Sequence, residues 1–331
     1  MNISIIGSGS FGTSIAIHLS SKAKNIKIYS NDKKIVDEIN FKRTNKCYLK
    51  DIDFIPTNIS ASTNLRDVVA NSKYIILAVP SQAIRSVSKT LKEYINENQI
   101  LVNLAKGLDE KTLDRLSEVI KKEANTENVV ALSGPSHAEE IVKNIPTTIV
   151  AASNNINLAE EVQKDFSTKT LRIYTNPDII GVEIGGASKN IIALASGILD
   201  GLGYGDNAKA ALMVRGMNEI IKIGELLGGQ EKTFSGLSGM GDLIVTCTSK
   251  HSRNKKAGEL LSKGFTLDET LKSVGMVVEG INACNCFYNL SIQKNIELPI
   301  TTALYNVLYN KSNPKDEIRN LLSRDNKSEF N

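Results

Sequence analysis

The chain has 331 residues, of which 41% are hydrophobic and 23% are charged, and its net charge is +4 at neutral pH. This length allows two domains of about 100–200 residues each, and the composition excludes an intrinsically disordered chain. The basic residues are spread along the whole sequence, so we expect no nucleic-acid partner.

The N-terminus and the cysteines indicate the compartment. Residues 2–6 read as a strand, and no basic segment followed by an apolar one precedes them, so we expect no signal peptide. The four cysteines form no CxxC pair and show no metal-ligand spacing. Free thiols are typical of a reducing compartment, and the sequence therefore predicts a cytoplasmic protein without a metal site.

The first half of the chain alternates short, β-rich apolar runs with helical patterns. The predicted strands are 2–6, 26–30, 74–79, 100–104, 129–133, 147–152 and 171–175, and helices are predicted over 81–95 and 110–123. This alternation indicates βαβ units and therefore an α/β domain with a mainly parallel sheet.

The second half, from Asp178 onward, carries helical patterns and no strand series. The predicted helices are 178–201, 207–227, 253–263, 279–294, 300–309 and 314–322. Because the alternation stops near residue 180, we predict an α/β domain over 1–180 and an all-α domain over 181–331.

The segment 178–202 is apolar enough to need a membrane test. It contains Glu183 and Lys189, and each central charge costs about 2.5–3.5 kcal/mol on insertion into a membrane. We therefore expect a buried core helix and no membrane insertion.

A glycine-rich turn follows the first predicted strand and opens a helix. Gly7-Ser8-Gly9-Ser10-Phe11-Gly12 matches the GxGxxG fingerprint in the strand–turn–helix context that the motif requires. Gly7 allows the tight turn, Gly9 lets the backbone approach a pyrophosphate, and Gly12 lets the helix pack on the strand. The free N–H groups of the helix favour phosphates. Residues 1–180 are therefore predicted to bind NAD(H) or NADP(H); a glycine turn without a ligand is the alternative.

The residue that would read the adenosine ribose is ambiguous. An Asp or Glu is expected about 20 residues beyond the fingerprint, at the end of the second strand. Asn31 lies at that end, and Asp32, Lys33 and Lys34 follow it. A neutral Asn near two lysines would tolerate the 2′-phosphate of NADP(H). The alternative is that both lysines are solvated surface residues without a role in binding.

Three polar segments point to a substrate cleft. Residues 103–107 and 133–138 each follow a predicted strand, and ligands of open α/β sheets bind beyond the carboxyl ends of strands. Ser252, Arg253 and Asn254 begin a predicted helix, with Ser252 a good N-cap. Exposed N–H groups, the helix dipole and an Arg side chain suit a phosphate monoester. The alternative is a capped surface helix with an exposed Arg.

Lys189 is the residue most indicative of chemistry, since it lies inside a mostly apolar predicted helix. Burial lowers the pKa of a lysine and makes it a useful acid–base group near neutral pH. Ketone reduction needs such a group, because the carbonyl oxygen must receive a proton as hydride reaches the carbon. The alternative is a lysine that extends its charge to solvent. Asp242 could hold a lysine by charge or could serve a turn alone. The three histidines show no catalytic-triad or metal-ligand spacing.

Seven motifs, in order, resemble the NAD(P)-dependent glycerol-3-phosphate dehydrogenases of the bacterial biosynthetic type, from the opening strand to about residue 322. They are Gly7–Gly12, Lys106-Gly107, Gly134-Pro135-Ser136, Gly185–Asn190, Gly239–Asp242, Ser252-Arg253-Asn254 and Val277-Val278-Glu279-Gly280. The resemblance implies a Rossmann-type domain followed by an all-helical domain, with the substrate between them. It implies reversible reduction of dihydroxyacetone phosphate to sn-glycerol 3-phosphate with NAD(P)H, which supplies the backbone for phospholipid synthesis. A homodimer is compatible with it.

The resemblance also implies roles for individual residues. Lys189 would be the general acid–base group, with Lys106 and Asp242 beside it, and Asn190 and Thr246 would support them. The implied cofactor contacts, besides the three fingerprint glycines, are Ser10, Phe11, Asn31, Lys106, Ala138, Arg253, Val277 and Glu279. The implied substrate contacts are Lys106, Gly134, Ser136, Lys189, Asp242, Ser252, Arg253 and Asn254.

Two departures from the family and two alternative functions stay open. Family members often carry Arg or His at the position of Asn31, and many carry Thr at that of Ser136. One alternative is a reductase of a 3-hydroxy acid or a ketopantoate-like substrate, whose carboxylate could also use an Arg. The other is a non-catalytic cofactor-binding module, which would not need Lys106, Lys189 and Asp242 together.

Overall fold

An eight-stranded sheet forms the centre of the first half of the chain. The computed structural model describes residues 1–50, 52–326 and 328–329. The strands are β1 (Asn2–Ile6), β2 (Asn25–Tyr29), β3 (Ile59–Ser62), β4 (Tyr74–Leu77), β5 (Ile100–Asn103), β6 (Val129–Ser133), β7 (Thr147–Ala152) and β8 (Leu171–Asn176). Their order is β3-β2-β1-β4-β5-β6-β7-β8, and every neighbouring pair is parallel except β6 and β7. The predicted α/β fold with a mainly parallel sheet is confirmed.

Helices cover both faces of this sheet, and its two middle strands, β4 and β5, are accordingly buried along their whole length. Burial at every position is typical of parallel strands between two helical layers. The helices of this domain are α1 (Ser10–Leu19), α2 (Lys33–Asp37), α3 (Leu65–Val69), α4 (Ile84–Leu91), α5 (Leu116–Ala124), α6 (Ala138–Ile141) and α7 (Ile156–Phe166). The carboxyl ends of β1, β4, β5 and β6 therefore meet at one edge, where the loops that follow them face the same space.

One strand escaped the sequence analysis. β3 has the sequence Ile59-Ser60-Ala61-Ser62 and pairs with β2 at the edge of the sheet. Only Ile59 and Ala61 are buried. Two apolar residues separated by serines are too short a pattern to mark a strand, and the pairing with β2 supplies the rest.

Two predicted helices were too long. The helix predicted over 110–123 begins only at Leu116, because the Asp109 carboxylate accepts the N–H groups of Lys111 and Thr112 at 3.1 and 3.0 Å and holds a turn there. The helix predicted over 81–95 consists of a 3₁₀ turn, Ser81–Ala83, followed by α4.

The second half of the chain folds into helices around one long central helix. These helices are α8 (Ile179–Gly201), α9 (Asp206–Leu226), α10 (Glu231–Phe234), α11 (Asp242–Thr248), α12 (Arg253–Ser262), α13 (Leu267–Val274), α14 (Glu279–Gln293), α15 (Pro299–Tyr309) and α16 (Pro314–Leu322). The predicted division near residue 180 falls in the first turn of α8. The helix is long and apolar enough to span a membrane, but 89% of its most apolar window is buried inside the protein, as predicted for a core helix.

Contacts along α8 fix its position relative to α5 of the first domain and to α12. Near its start, the buried Glu183 carboxylate accepts hydrogen bonds from the Ser117 N–H at 2.8 Å and from Arg115 Nη1 at 2.8 Å. Near its end, Gly258 of α12 packs so closely on α8 that a Cβ there would collide with the Leu194 carbonyl. The close packing fixes α12 relative to the C-terminal half of α8.

Candidate functional site

A cleft of about 1190 Å³ lies between the carboxyl edge of the sheet and the helical domain. Gly12 and Gly134 lie beneath its surface, whereas the other predicted site residues line it. Those residues are Gly7, Gly9, Ser10, Phe11, Asn31, Lys106, Ser136, Ala138, Lys189, Asp242, Ser252, Arg253, Asn254, Val277 and Glu279. The structure thus brings together residues from both halves of the chain in one site.

The glycine-rich turn at the end of β1 has the geometry of a phosphate cradle. Gly7 has φ +115°, and a Cβ there would lie 2.6 Å from the Ala78 carbonyl oxygen. A Cβ on Gly12 would collide with the Gly7 carbonyl, whereas one on Gly9 would meet nothing within 4 Å. Gly9 therefore leaves open space in front of the first turn of α1, where free N–H groups face the cleft. These residues fit the pyrophosphate of a dinucleotide.

At the end of β2, Asn31 faces the cleft and Asp32 does not. The Asp32 carboxylate caps α2 by accepting the Lys34 N–H at 2.8 Å. Lys33 lies 3.8 Å from Asp37 in an exposed ion pair. The geometry therefore favours Asn31 as the residue that meets a ribose, and neither Lys33 nor Lys34 lines the described cleft.

Asp242 holds two lysines at the floor of the cleft. Its Oδ1 accepts a hydrogen bond from Lys189 Nζ at 2.7 Å, and its Oδ2 accepts one from Lys106 Nζ at 2.6 Å. Lys189 Nζ also donates to Thr246 Oγ1 at 2.6 Å, one turn further along α11. Lys106 Nζ also donates to the Gly134 carbonyl at 3.0 Å. The interpretation of Asp242 as a partner for a lysine agrees with this geometry, and the carboxylate serves two lysines rather than one.

The charges in this cluster are strongly coupled because the groups are buried. Lys189 is only 6% exposed. Burial lowers its pKa to about 8; the Asp242 carboxylate opposes that shift, and the charge of Lys106 adds to it. Burial would raise the pKa of Asp242, but attraction to Lys106 and Lys189 outweighs burial and holds that pKa below its usual value. Lys189 is thus a buried ammonium group that gives up its proton more readily than an exposed lysine does.

The first turn of α12 faces the cleft beside this cluster. The Ser252 Oγ caps the helix by accepting the Lys255 N–H at 3.2 Å, as its sequence predicts. Arg253 is exposed and lines the cleft, so its guanidinium is accessible to a ligand. Asn254 is buried; its Nδ2 donates to Asn190 Oδ1 at 2.9 Å and its Oδ1 accepts the Gly280 N–H at 2.8 Å. Asn254 therefore joins α8, α12 and α14 behind the first turn of α12.

Glu279 ties the helical domain to the sheet domain across the cleft. Its carboxylate accepts the Ser81 N–H at 3.0 Å and the Ser81 Oγ–H at 2.5 Å. Burial raises the pKa of Glu279, although these hydrogen bonds oppose the rise. Val277 lies two residues before it and is 40% exposed. Sequence reasoning missed Ser81, whose place just after β4 was the available signal.

The cleft also contains residues to which the sequence analysis gave no role. Tyr48 and Lys272 line it, and so do His137 and His251, whose ring centroids lie 5.9 Å apart. His137 stands between two predicted site residues in sequence, and His251 directly precedes a third. Both histidines belong to polar segments that the sequence places at the cleft, but neither has the spacing of a catalytic triad or a metal site.

Comparisons with known proteins agree with this architecture. Residues 2–171 match the family model for the N-terminus of NAD-dependent glycerol-3-phosphate dehydrogenase, and residues 178–319 match the model for its C-terminus. A "Glycerol-3-phosphate dehydrogenase [NAD(P)+]" of Clostridium botulinum is 55% identical over 99% of both chains. One from Clostridium acetobutylicum is 53% identical over 99% of this chain and 98% of its own. The crystal structure of glycerol-3-phosphate dehydrogenase from Coxiella burnetii superposes with a TM-score of 0.93 at 34% identity, covering 98% of this chain and 99% of that one.

Proposed function

The chain belongs to the NAD-dependent glycerol-3-phosphate dehydrogenase family, and from this premise we propose that it reversibly reduces dihydroxyacetone phosphate to sn-glycerol 3-phosphate with NADH or NADPH. The observation that carries the proposal is the Lys106–Asp242–Lys189 cluster, which lies in the same cleft as the dinucleotide cradle. A module that only binds a cofactor has no use for two lysines on one buried carboxylate. The product is the backbone of glycerophospholipids, and we place the enzyme in the cytoplasm.

The residues of the sheet domain hold the cofactor. The cradle of Gly7, Gly9 and α1 takes the pyrophosphate, and Asn31 meets the adenosine ribose. The bound cofactor supplies the hydride that reduces the carbonyl carbon. Ser81 holds Glu279, and Glu279 in turn positions the loop that carries Val277 at the cleft that the cofactor enters.

Lys189 provides the proton that reduction requires. Its Nζ donates to the carbonyl oxygen of the substrate as the carbon is reduced, and in the reverse direction it takes the hydroxyl proton. A pKa of about 8 lets the group act in both directions near neutral pH. Asp242 and Thr246 hold Nζ in place, and the second lysine, Lys106, adds positive charge where negative charge develops on the oxygen.

The first turn of α12 takes the phosphate. Arg253 offers a guanidinium at the cleft, and the N–H groups of that turn face an anion with the positive end of the helix dipole. Ser252 and Asn254 fix this turn through their own hydrogen bonds. A carboxylate substrate could also meet an Arg, so substrate preference separates this function from reduction of a ketopantoate-like acid.

One assay tests the proposed function. Loss of reduced-nicotinamide absorbance is followed with dihydroxyacetone phosphate and, separately, with ketopantoate, using NADH and NADPH in turn. We expect turnover with the phosphate ester and little with the keto acid. Cofactor binding without turnover of either substrate would instead support a binding module.

Cofactor preference follows from Asn31. Because Asn31 is neither a repelling acid nor a clamping Arg, both NADH and NADPH should bind, and Asn31→Asp should shift the ratio of dissociation constants toward NADH. Titrations of both cofactors at one salt concentration measure this ratio. Asp32→Asn is the matched control, since Asp32 caps α2 and should leave the ratio unchanged. A strong wild-type preference for NADH that disappears in Asp32→Asn would show that Asp32 reads the ribose.

Arg253 should carry much of the phosphate recognition. A charge-assisted hydrogen bond contributes about 1.5–3 kcal/mol, so Arg253→Ala should lower kcat/KM for dihydroxyacetone phosphate by about 10–150-fold. Arg253→Lys should recover only part, because the bidentate fork is lost. The diagnostic measurement is the ratio of kcat/KM between dihydroxyacetone phosphate and dihydroxyacetone. An unchanged ratio in Arg253→Ala would place the phosphate elsewhere.

The homodimer and the domain boundary near residue 180 both stay predictions. A homodimer is compatible with the fold, and sedimentation velocity would test it. The substrate is a small molecule in either case, and both halves of the chain contribute to its cleft.

A further inference from the structure

His137 lies between the lysine cluster and the first turn of α12. Its ring lines the cleft that also contains Lys189 and Arg253. On one side, it lies close enough to Lys189 and Lys106 for their charges to act on it. On the other side, its ring centroid is 5.9 Å from that of His251, which directly precedes the N-cap of α12. His137 therefore lines the cleft between the lysine cluster and the first turn of α12.

One nitrogen of this ring has no partner within the protein. His137 Nε2 is buried and makes no hydrogen bond with any residue in the described part of the chain. Buried polar atoms are almost always hydrogen-bonded, and an exception that borders a ligand cleft is explained when the ligand supplies the partner. The backbone carbonyl of His137 is already used, since it accepts the N–H groups of Glu140 and Ile141. The ring is therefore the part of His137 whose partner is missing.

The surroundings of the ring favour its neutral form. Burial lowers the pKa of His137, and the positive charges of Lys189 and Lys106 lower it further, while Glu139 and Asp242 oppose the change. A neutral imidazole carries one N–H donor. Such a donor adds a hydrogen bond to an anion without adding repulsion toward the two lysines nearby. A third cation here would be repelled by the cluster that the reaction uses.

We propose that His137 is a further substrate-binding residue, whose Nε2–H donates a hydrogen bond to a phosphate oxygen of the substrate. The phosphate is the acceptor because the carbonyl oxygen already has its proton donor in Lys189, and because His251 places this ring next to the first turn of α12. The assignment rests on the proposed function, since it concerns the same substrate. It adds a neutral donor to a site otherwise made of a guanidinium and helix N–H groups.

Two variants test the assignment. His137→Phe keeps an aromatic ring beside His251 but removes the donor, and should lower kcat/KM for dihydroxyacetone phosphate by about 10–100-fold. His137→Gln places an amide N–H near the position of Nε2 and should retain activity to within about fivefold. Neither variant should alter kcat/KM for dihydroxyacetone, which lacks the phosphate. The matched control is His18→Gln, which changes a buried histidine outside the cleft that contacts Thr168 Oγ1 at 2.8 Å.

Each outcome separates this assignment from the proposed function. A wild-type enzyme that does not reduce dihydroxyacetone phosphate overturns both. If the wild type is active, an unimpaired His137→Phe variant overturns the role of His137 alone. Equal losses with the two substrates would show that His137 only supports the lysine cluster. A His137→Gln variant as impaired as His137→Phe would show that the ring, not its N–H donor, matters.

Discussion

Lys189→Ala is expected to lower kcat for dihydroxyacetone phosphate by about 10²–10⁴, the usual contribution of a general acid–base group. Lys189 Nζ is the buried donor held by Asp242 and Thr246, and alanine leaves no proton source in its place. The dissociation constants of NADH and NADPH should change little, because the residue belongs to the substrate side of the cleft. Steady-state kinetics with a saturating cofactor, together with cofactor titration, measure both quantities.

The pH dependence of this reaction should carry the signature of Lys189. Its pKa of about 8 means that the group is protonated below that pH and neutral above it. Ketone reduction needs the protonated form, so kcat/KM for dihydroxyacetone phosphate should fall as pH rises through about 8. Oxidation of sn-glycerol 3-phosphate needs the neutral form and should rise over the same range. Neither the fall in the rate of reduction nor the rise in the rate of oxidation near pH 8 should appear in the residual activity of Lys189→Ala.

Two further variants make this result specific. Lys189→Arg keeps the positive charge but should not restore kcat, since a guanidinium gives up its proton poorly. Lys209→Ala is the matched control, because Lys209 also pairs with an aspartate, Asp200 at 2.6 Å, but does not line the described cleft. Near-normal kcat in Lys189→Ala would end the proposed role of this residue.

The dinucleotide cradle was predictable because its causes are local in sequence. A strand, three glycines at fixed spacing and a helix occur within residues 2–19, and the close contact that excludes a side chain from Gly12 is with the Gly7 carbonyl, five residues earlier. The N-cap at Ser252 was predictable for the same reason, because its hydrogen-bond partner lies three residues away. Local backbone requirements leave a direct mark on sequence.

The rest of the site depends on contacts that no local pattern encodes. Lys189 and Asp242 are 53 residues apart, and Ser81 and Glu279 are 198 residues apart. Lys189 alone reads as a lysine in an apolar helix, and only the packing of α11 on α8 shows that a carboxylate lies beside it. The sequence motifs identified most of these residues through their resemblance to a family, whereas the pairings required the fold.

The two histidines of the cleft illustrate the same limit. His137 follows β6 and His251 precedes α12, and neither has the spacing of a triad or a metal site. Their proximity arises because the carboxyl edge of the sheet faces the first turn of α12, which α8 fixes in place. The edge strand β3 was not predicted for a different reason. Its pairing with β2, rather than a pattern of apolar residues, makes it a strand.

Asp242→Asn is expected to lower kcat/KM by about 10²–10³, because truncating one partner of a buried, hydrogen-bonded charge pair costs about 2–5 kcal/mol. The amide keeps the shape of the side chain but removes the negative charge that both Lys106 and Lys189 contact. The direction of the pH effect follows from the same contact. The carboxylate raises the pKa of Lys189, so its loss should move that pKa below about 8 and shift the fall in reduction rate to lower pH. Rate profiles measured in both directions of the reaction record this shift.

The chain offers a closely matched control for this change. Asp200 also bridges two lysines, with its carboxylate oxygens 2.6 Å from Lys209 Nζ and 2.9 Å from Lys255 Nζ, but it does not line the described cleft. Asp200→Asn should therefore leave both the rate and its pH profile close to those of the wild type.

A general loss of folded protein would lower the rate of Asp242→Asn without moving its pH profile, since the surviving molecules would titrate normally. An unmoved profile in Asp242→Asn, with cofactor binding intact, would show that the carboxylate supports the fold and does not set the proton affinity of Lys189. A profile displaced to lower pH, seen only in Asp242→Asn, would identify this one carboxylate as the group that keeps Lys189 protonated when the ketone is reduced.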